Sequence, residues 1–245
     1  MPQHRLDPNG PPAELLPYSH NGVTMRGYLY RPASATAAPG VLVGHDGTGL
    51  GEHVKARAQA LAKLGYVALA YDLYGAEGFP IKESMPRWLE LANAPGLVYA
   101  RMAAALAALT AQPGVDAART AAMGFCQGGI TALELARARA PIRAAIGFHP
   151  GLSRPAGSAD GPITARVLML IGDQDNFAPP EERAAFTAEM TAKDAPWELH
   201  LFGGVTHSFT DPDLARFGQT TFRYDAYADR CAWRLALALL DDVFA

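Results

Sequence analysis

The chain has 245 residues, a length that one α/β domain fills and that leaves room for a large buried core. Apolar residues make up 49% and charged residues 18%, which excludes a disordered polyelectrolyte, and a formal net charge of −3 offers nothing to nucleic acid or an anionic membrane surface. No run reaches the roughly 18 apolar residues of a membrane span, Met1-Pro2-Gln3-His4-Arg5 is no secretory start, and two cysteines make neither a disulfide framework nor a metal-ligand set. These features predict a cytoplasmic setting and no metal.

In chain order, Pro2, Pro8, Asn9, Gly10, Pro11 and Pro12 predict an irregular lead-in. Gly40 to Gly44 reads as a buried strand ending at His45-Asp46-Gly47, and Glu52 to Leu64 as a helix closed by Gly65. A second buried strand spans Tyr66 to Tyr71, and a helix Gly96 to Ala111, stopped by Gln112-Pro113-Gly114. Thr120 to Phe125 is a third strand with a helix, Gln127 to Ala138, directly behind it. Strands at Arg143 to Phe148, Val167 to Ile171 and Trp197 to Phe202, with helices at Pro180 to Ala192 and Thr221 to Val243, complete the series. Strands apolar on both faces and alternating with helices predict an α/β fold, a mostly parallel central sheet covered by helices on both faces. No internal repeat or linker divides the chain, so residues 1–245 are expected to form a single domain. Pro155 to Gly161 reads as a surface excursion.

The chemistry concentrates at Gly124-Phe125-Cys126-Gln127-Gly128-Gly129, between a buried strand and an amphipathic helix. This is the form of a nucleophile elbow, where glycines permit a turn too tight for neighbouring side chains. The turn sets the Cys126 sulfur at a helix N-terminus, where free N–H groups favour the thiolate. Asp175 follows the strand Val167 to Ile171, and His207 follows Trp197 to Phe202. Nucleophile, acid and histidine thus come in the α/β-hydrolase order, each at the carboxyl end of its strand. Asp175 would set the tautomer of His207, which then serves the thiol. Asp173 remains an alternative acid. Gly47 and Gln127 are expected to supply the backbone N–H pair of an oxyanion hole. His149 follows its strand closely enough to reach the site or to be structural; His200 reads as structural, and His4, His20 and His53 as surface residues. Cys231, among Ala228, Ala232 and Leu235, reads as a buried, inert thiol.

These motifs, with Gly44-His45-Asp46-Gly47, Tyr71-Asp72-Leu73-Tyr74-Gly75, Gly172-Asp173-Gln174-Asp175 and His207-Ser208-Phe209, resemble the dienelactone hydrolases from about Gly22 to Phe244. The resemblance implies an α/β-hydrolase fold, a Cys126-His207-Asp175 triad, no cofactor, and hydrolysis of an activated lactone or ester. It also implies a carboxylate against the resting thiol, Asp46 here where reference members carry the longer Glu. Where those members hold the substrate carboxylate with an arginine, four residues after the histidine, this chain has Asp211. Lys82, Arg87 and Arg101 are candidate replacement cations. Ala76 to Glu90, with Phe79, Met85 and Trp88, is expected to cover the pocket and shape specificity.

The expected partner is thus a small-molecule ester or lactone, without nucleic acid or membrane, acting on a monomer or weak homodimer. A general carboxylesterase or thioesterase on neutral acyl groups is the alternative within enzymes. A non-catalytic ligand-binding or thiol redox-sensing protein is the alternative outside them. With His207 as base, the rate should fall on the acidic side.

Overall fold

The computed structural model describes residues 4–33, 37–76, 79–214 and 220–245. One eight-stranded sheet runs through it in the order β1-β2-β4-β3-β5-β6-β7-β8. Its strands are β1 (Ala13–His20), β2 (Val23–Tyr30), β3 (Ala38–Gly44), β4 (Val67–Tyr71), β5 (Val115–Phe125), β6 (Ala144–Phe148), β7 (Arg166–Gly172) and β8 (Trp197–Phe202). From β4 onward across the sheet every pairing is parallel, while β1 and β2 join antiparallel at one edge. All five residues of β4 and of β6 are buried, because helices cover both faces there.

The described part of the lead-in, residues 4–12, is irregular as expected, and an edge hairpin absent from the sequence expectation follows it. Asn21 and Gly22 take φ of 47° and 78°, the left-handed pair that a two-residue hairpin turn requires, and His20 pairs with Val23 across it. The prolines of the lead-in end at Pro12, just before β1 begins.

The helices are α1 (Glu52–Lys63), α2 (Ile81–Asn93), α3 (Leu97–Thr110), α4 (Gln127–Arg137), α5 (Pro180–Ala192) and α6 (Ala226–Phe244). All but α2 match the sequence expectation within a few residues. The largest boundary shift is in α6, which starts late because the Asp225 side chain accepts from the amides of Tyr227 and Ala228 at 3.0 and 2.9 Å. Upstream of it, Phe222 bridges to His207 instead of joining the helix. α2 contains Pro86 and follows Pro80, which masks its periodicity in the sequence. Every residue of α4 is buried. Among the described residues no helix is long and apolar enough to cross a membrane.

Two polar ties reach across the fold. Arg57 of α1 is fully buried; its Nη2 lies 2.8 Å from Asp229 Oδ1 on α6 and 3.0 Å from the Thr210 carbonyl oxygen. His4 Nε2 lies 3.2 Å from the other oxygen of Asp229, so His4 belongs to this network and not to the surface. The segment Pro155 to Gly161 is likewise more than a surface excursion. Ala156 exchanges backbone hydrogen bonds with Ala92 and Gly96 at 2.7 and 2.9 Å, and Ser158 donates to Glu134. It therefore fastens the junction between α2 and α3.

Candidate active site

The parallel strands bring the carboxyl ends of β3, β5, β7 and β8 to one rim, where the loops carry the chemistry. Cys126 stands between β5 and α4 with φ of 52° and ψ of −113°, a strained backbone for a residue with a side chain. The turn is possible because glycines meet on three sides. A Cβ on Gly124 would lie 2.2 Å from the backbone of Gly128, and one on Gly128 would lie 2.4 Å from the backbone of Gly44. The Cys126 amide donates to Phe148 O at 2.9 Å, and Gly128 N donates to His45 O at 2.9 Å. The elbow is thus tied both to β6 and to the loop after β3.

Asp175 is 2% exposed. Its Oδ1 accepts from the Phe177 amide at 2.8 Å, and its Oδ2 lies 2.8 Å from His207 Nδ1. The Cys126 side chain hydrogen-bonds to the same ring. Asp173, the alternative acid, instead accepts from the Gly204 amide at 2.6 Å and shapes the His207 loop. Burial opposes a charge on His207, but the Cys126 sulfur and the Asp175 carboxylate outweigh it and push the imidazole up to about 10. The raised value keeps the His207 imidazole protonated at neutral pH.

Cys126 and His207 open into a cavity of about 190 Å³, also lined by Asp46, Gly47, Ser84 and Gln127. Met85, Phe177, Leu214 and Phe222 supply its apolar wall. Gln127 is the first residue of α4, so its N–H has no intrahelical acceptor, and Gly47 lines the same cavity.

One expected contact is not made among the described residues, and several expected residues lie elsewhere. Asp46 Oδ1 accepts from the amide and hydroxyl of Thr48 at 2.7 and 2.6 Å, and among the described residues no hydrogen bond joins it to Cys126. Trp88 faces away from the cavity: it is 9% exposed, in the core with Leu91 and Val98. Arg87 pairs with Glu83 at 2.8 Å and stacks on Phe79, while Arg101 donates to the Leu73 carbonyl oxygen. Both arginines line a neighbouring cavity. Lys82 is exposed on α2 and does not line the Cys126 cavity. Asp211 also faces away, accepting from the Asp213 amide at 2.8 Å. Glu77 and Gly78, within the segment expected to cover the pocket, lie outside the described residues.

His149 does not line the cavity; it lies beneath His207, 1% exposed, ring edge to face at 5.0 Å, with Nε2 2.8 Å from Thr210 Oγ1. Burial, with the charge of His207 beside it, pushes His149 well below its ordinary value. His53 is no surface residue either, its ring standing 4.6 Å from that of Phe125. His200 pairs with Glu198 at 3.0 Å on the exposed side of edge strand β8. Cys231 is only half-buried. Ser84 escaped the sequence reading, because the helix that carries it was not visible there.

Asp46, His53 and Asp211 bring one donor atom each within 4.8 Å of one another, which raises the question of a metal. The donor chemistry does not fit one. His53 Nε2 takes the Arg57 Nε–H at 3.3 Å, and its other nitrogen hydrogen-bonds to the Thr210 backbone. Neither ring nitrogen retains a lone pair for a cation.

The sequence model of the dienelactone hydrolase family matches residues 25–244. The chain is similar to a probable 2-oxo-3-(5-oxofuran-2-ylidene)propanoate lactonase of Bradyrhizobium sp, 30% identical over 77% of this chain and 80% of that one. A putative carboxymethylenebutenolidase of Salmonella typhimurium is 30% identical over 77% of this chain and 74% of its own. Among solved structures, a dienelactone hydrolase-like promiscuous phosphotriesterase from metagenomic libraries superposes with a TM-score of 0.91. It is 34% identical, over 96% of this chain and 99% of that one.

Proposed function

From a chain that belongs to the dienelactone hydrolase family, with an α/β-hydrolase fold, we propose a hydrolase that opens a small lactone or ester through a thioester on Cys126. The observation that carries this reading is the alignment of Asp175, His207 and Cys126 at the elbow, with the imidazole bonded to both neighbours.

The thiolate attacks the substrate carbonyl, and the oxyanion is received by the N–H groups of Gly47 and Gln127. Each such donor stabilises the transition state by about 3 kcal/mol. Collapse of the tetrahedral intermediate forms the thioester, and His207 passes its proton to the departing alkoxide. Acylation then changes the histidine itself. The charge on Cys126 helps hold the proton on His207, and in the thioester that charge is gone. His207 becomes a free base at the moment when water must be deprotonated. Water attack expels the thiolate, restores the imidazolium and releases the carboxylic acid, still joined to its alcohol when the substrate is a lactone.

No lysine or arginine is among the described residues lining the cavity, and Asp46 is there. A neutral acyl group therefore suits it better than a carboxylated one. This favours a neutral ester or lactone within the family's reaction class. A redox sensor would have no use for the Asp175–His207 pair, which argues against that reading.

The test is to quench the wild type during turnover of p-nitrophenyl acetate and map the adduct. One acetyl group on the Cys126 peptide, removed by hydroxylamine, is expected. Turnover with the acetyl group on another residue, or with none trapped under single-turnover conditions, would remove the proposal. The pH profile is a second check. Because His207 is held up to about 10, its charged form persists through neutral pH and is lost above that value. The acylation rate is therefore expected to fall on the alkaline side near pH 10, as His207 loses its proton. A burst-phase measurement from pH 7 to 11 reads that fall.

A further inference from the structure

The cavity wall is mostly apolar, and two polar side chains on it have no task in the mechanism above. Gln127 is 4% exposed, and its Oε1 accepts from the Tyr74 hydroxyl. That bond fixes the carboxamide plane and turns Nε2 to the other side, toward Gly47. A Cβ built on Gly47 would lie 3.2 Å from Gln127 Nε2 and 2.1 Å from Ser84 Oγ, so both donors flank one point above the Gly47 backbone. Among the described residues neither Nε2 nor the Ser84 hydroxyl has a hydrogen-bond partner. Both residues line the cavity that holds Cys126.

We propose that Ser84 and the Gln127 carboxamide form a donor pair that recognises an uncharged acceptor oxygen, an ether, hydroxyl or carbonyl group, on the acyl portion of the substrate. The inference rests on the hydrolase reading and sharpens its substrate class. The backbone N–H groups of Gly47 and Gln127 hold the carbonyl oxygen, so donors over Gly47 and on Gln127 sit beside the acyl chain. A carboxylate is disfavoured at the same place, since Asp46 adjoins it and no lysine or arginine is among the described lining residues. Donors that the bound substrate covers discriminate between substrates, because one without the acceptor leaves them desolvated and unpaired. Gly47 is part of the device: a side chain there would collide with the Ser84 hydroxyl and fill the point that the two donors share.

The experiment compares p-nitrophenyl methoxyacetate with p-nitrophenyl butanoate, acyl chains of equal length that differ by an ether oxygen in place of a methylene. Their kcat/KM ratio is measured in wild type, Ser84→Ala, Gln127→Leu and Tyr74→Phe, each checked for an unchanged melting transition. The different intrinsic reactivities of the esters cancel when each variant's ratio is divided by that of the wild type. The ratio is expected to fall about tenfold in Ser84→Ala and in Gln127→Leu, one hydrogen bond's worth. In Tyr74→Phe, where the carboxamide is released but kept, a smaller fall is expected. An unchanged ratio in both Ser84→Ala and Gln127→Leu, with both esters still turned over, would overturn the donor pair and leave the hydrolase intact. Wild type that turned over neither ester would overturn the hydrolase reading and this inference with it.

Discussion

Cys126→Ala is expected to lower kcat for p-nitrophenyl acetate by about 10⁴-fold or more, while the protein stays folded. Alanine fits the elbow as well as cysteine does, since the backbone there already accommodates a Cβ at φ of 52°. What disappears is the atom that forms the thioester and the charge that holds His207 protonated. Residual turnover would come from the two oxyanion donors and from His207 acting on water directly. In Cys126→Ala the imidazole should therefore titrate well below its wild-type value, a change that NMR of the His207 ring reads without any substrate. Serine is not an adequate replacement, because an alkoxide is far harder to form than a thiolate beside the same imidazole. A Cys126→Ala enzyme with an undiminished rate would show that another group attacks.

Gly128→Ala is expected to cost about 3 kcal/mol or more of stability, a fall in melting temperature of about 10 °C for a chain of this size. The added Cβ would stand 2.4 Å from the backbone of Gly44. That contact is backbone against backbone, across the packing of α4 on β3, and no side chain can turn aside to relieve it. Relief requires α4 to move outward and carry Cys126 with it, so activity should fall even at temperatures where the variant is folded. Thermal denaturation and kcat measured on the same preparation separate the two effects.

The parallel half of the sheet and the proximity of Asp175 to His207 are legible in the sequence for one reason. Strands such as Val67–Tyr71 and Ala144–Phe148 are buried on both faces and read as unbroken apolar runs, and Cys126 and Asp175 follow runs of the same kind in β5 and β7, whereas His207 follows the partly exposed edge strand β8. The hairpin of β1 and β2 was missed although its signal is present. Asn21-Gly22 lies between Leu16, Tyr18, Val23 and Met25, an alternation that the neighbouring prolines drew attention away from. Helix α2 was hidden by Pro80 and Pro86, and with it the inward face that carries Ser84. The substrate-side expectations depended on which way a side chain points. Trp88 lies on the core face of α2 and Met85 on the cavity face, and three residues of spacing on a helix whose register was unknown could not separate them. Asp211 illustrates the same limit. Its charge was plain, but only the fold turns it away from the cavity.

The buried pair of Arg57 and Asp229 sets a schedule for synthesis. The two residues are 172 positions apart, and the same guanidinium holds the Thr210 carbonyl of the loop that carries His207. At about 5 to 20 residues per second, a ribosome takes roughly 10 to 35 seconds to deliver the partner that neutralises Arg57. During that interval α1 cannot bury its charged face at low cost. The nascent chain therefore carries Cys126, Asp175 and His207 before the charge on Arg57 has its partner. The charged face of α1 is closed only when α6 docks and brings Asp229 to it.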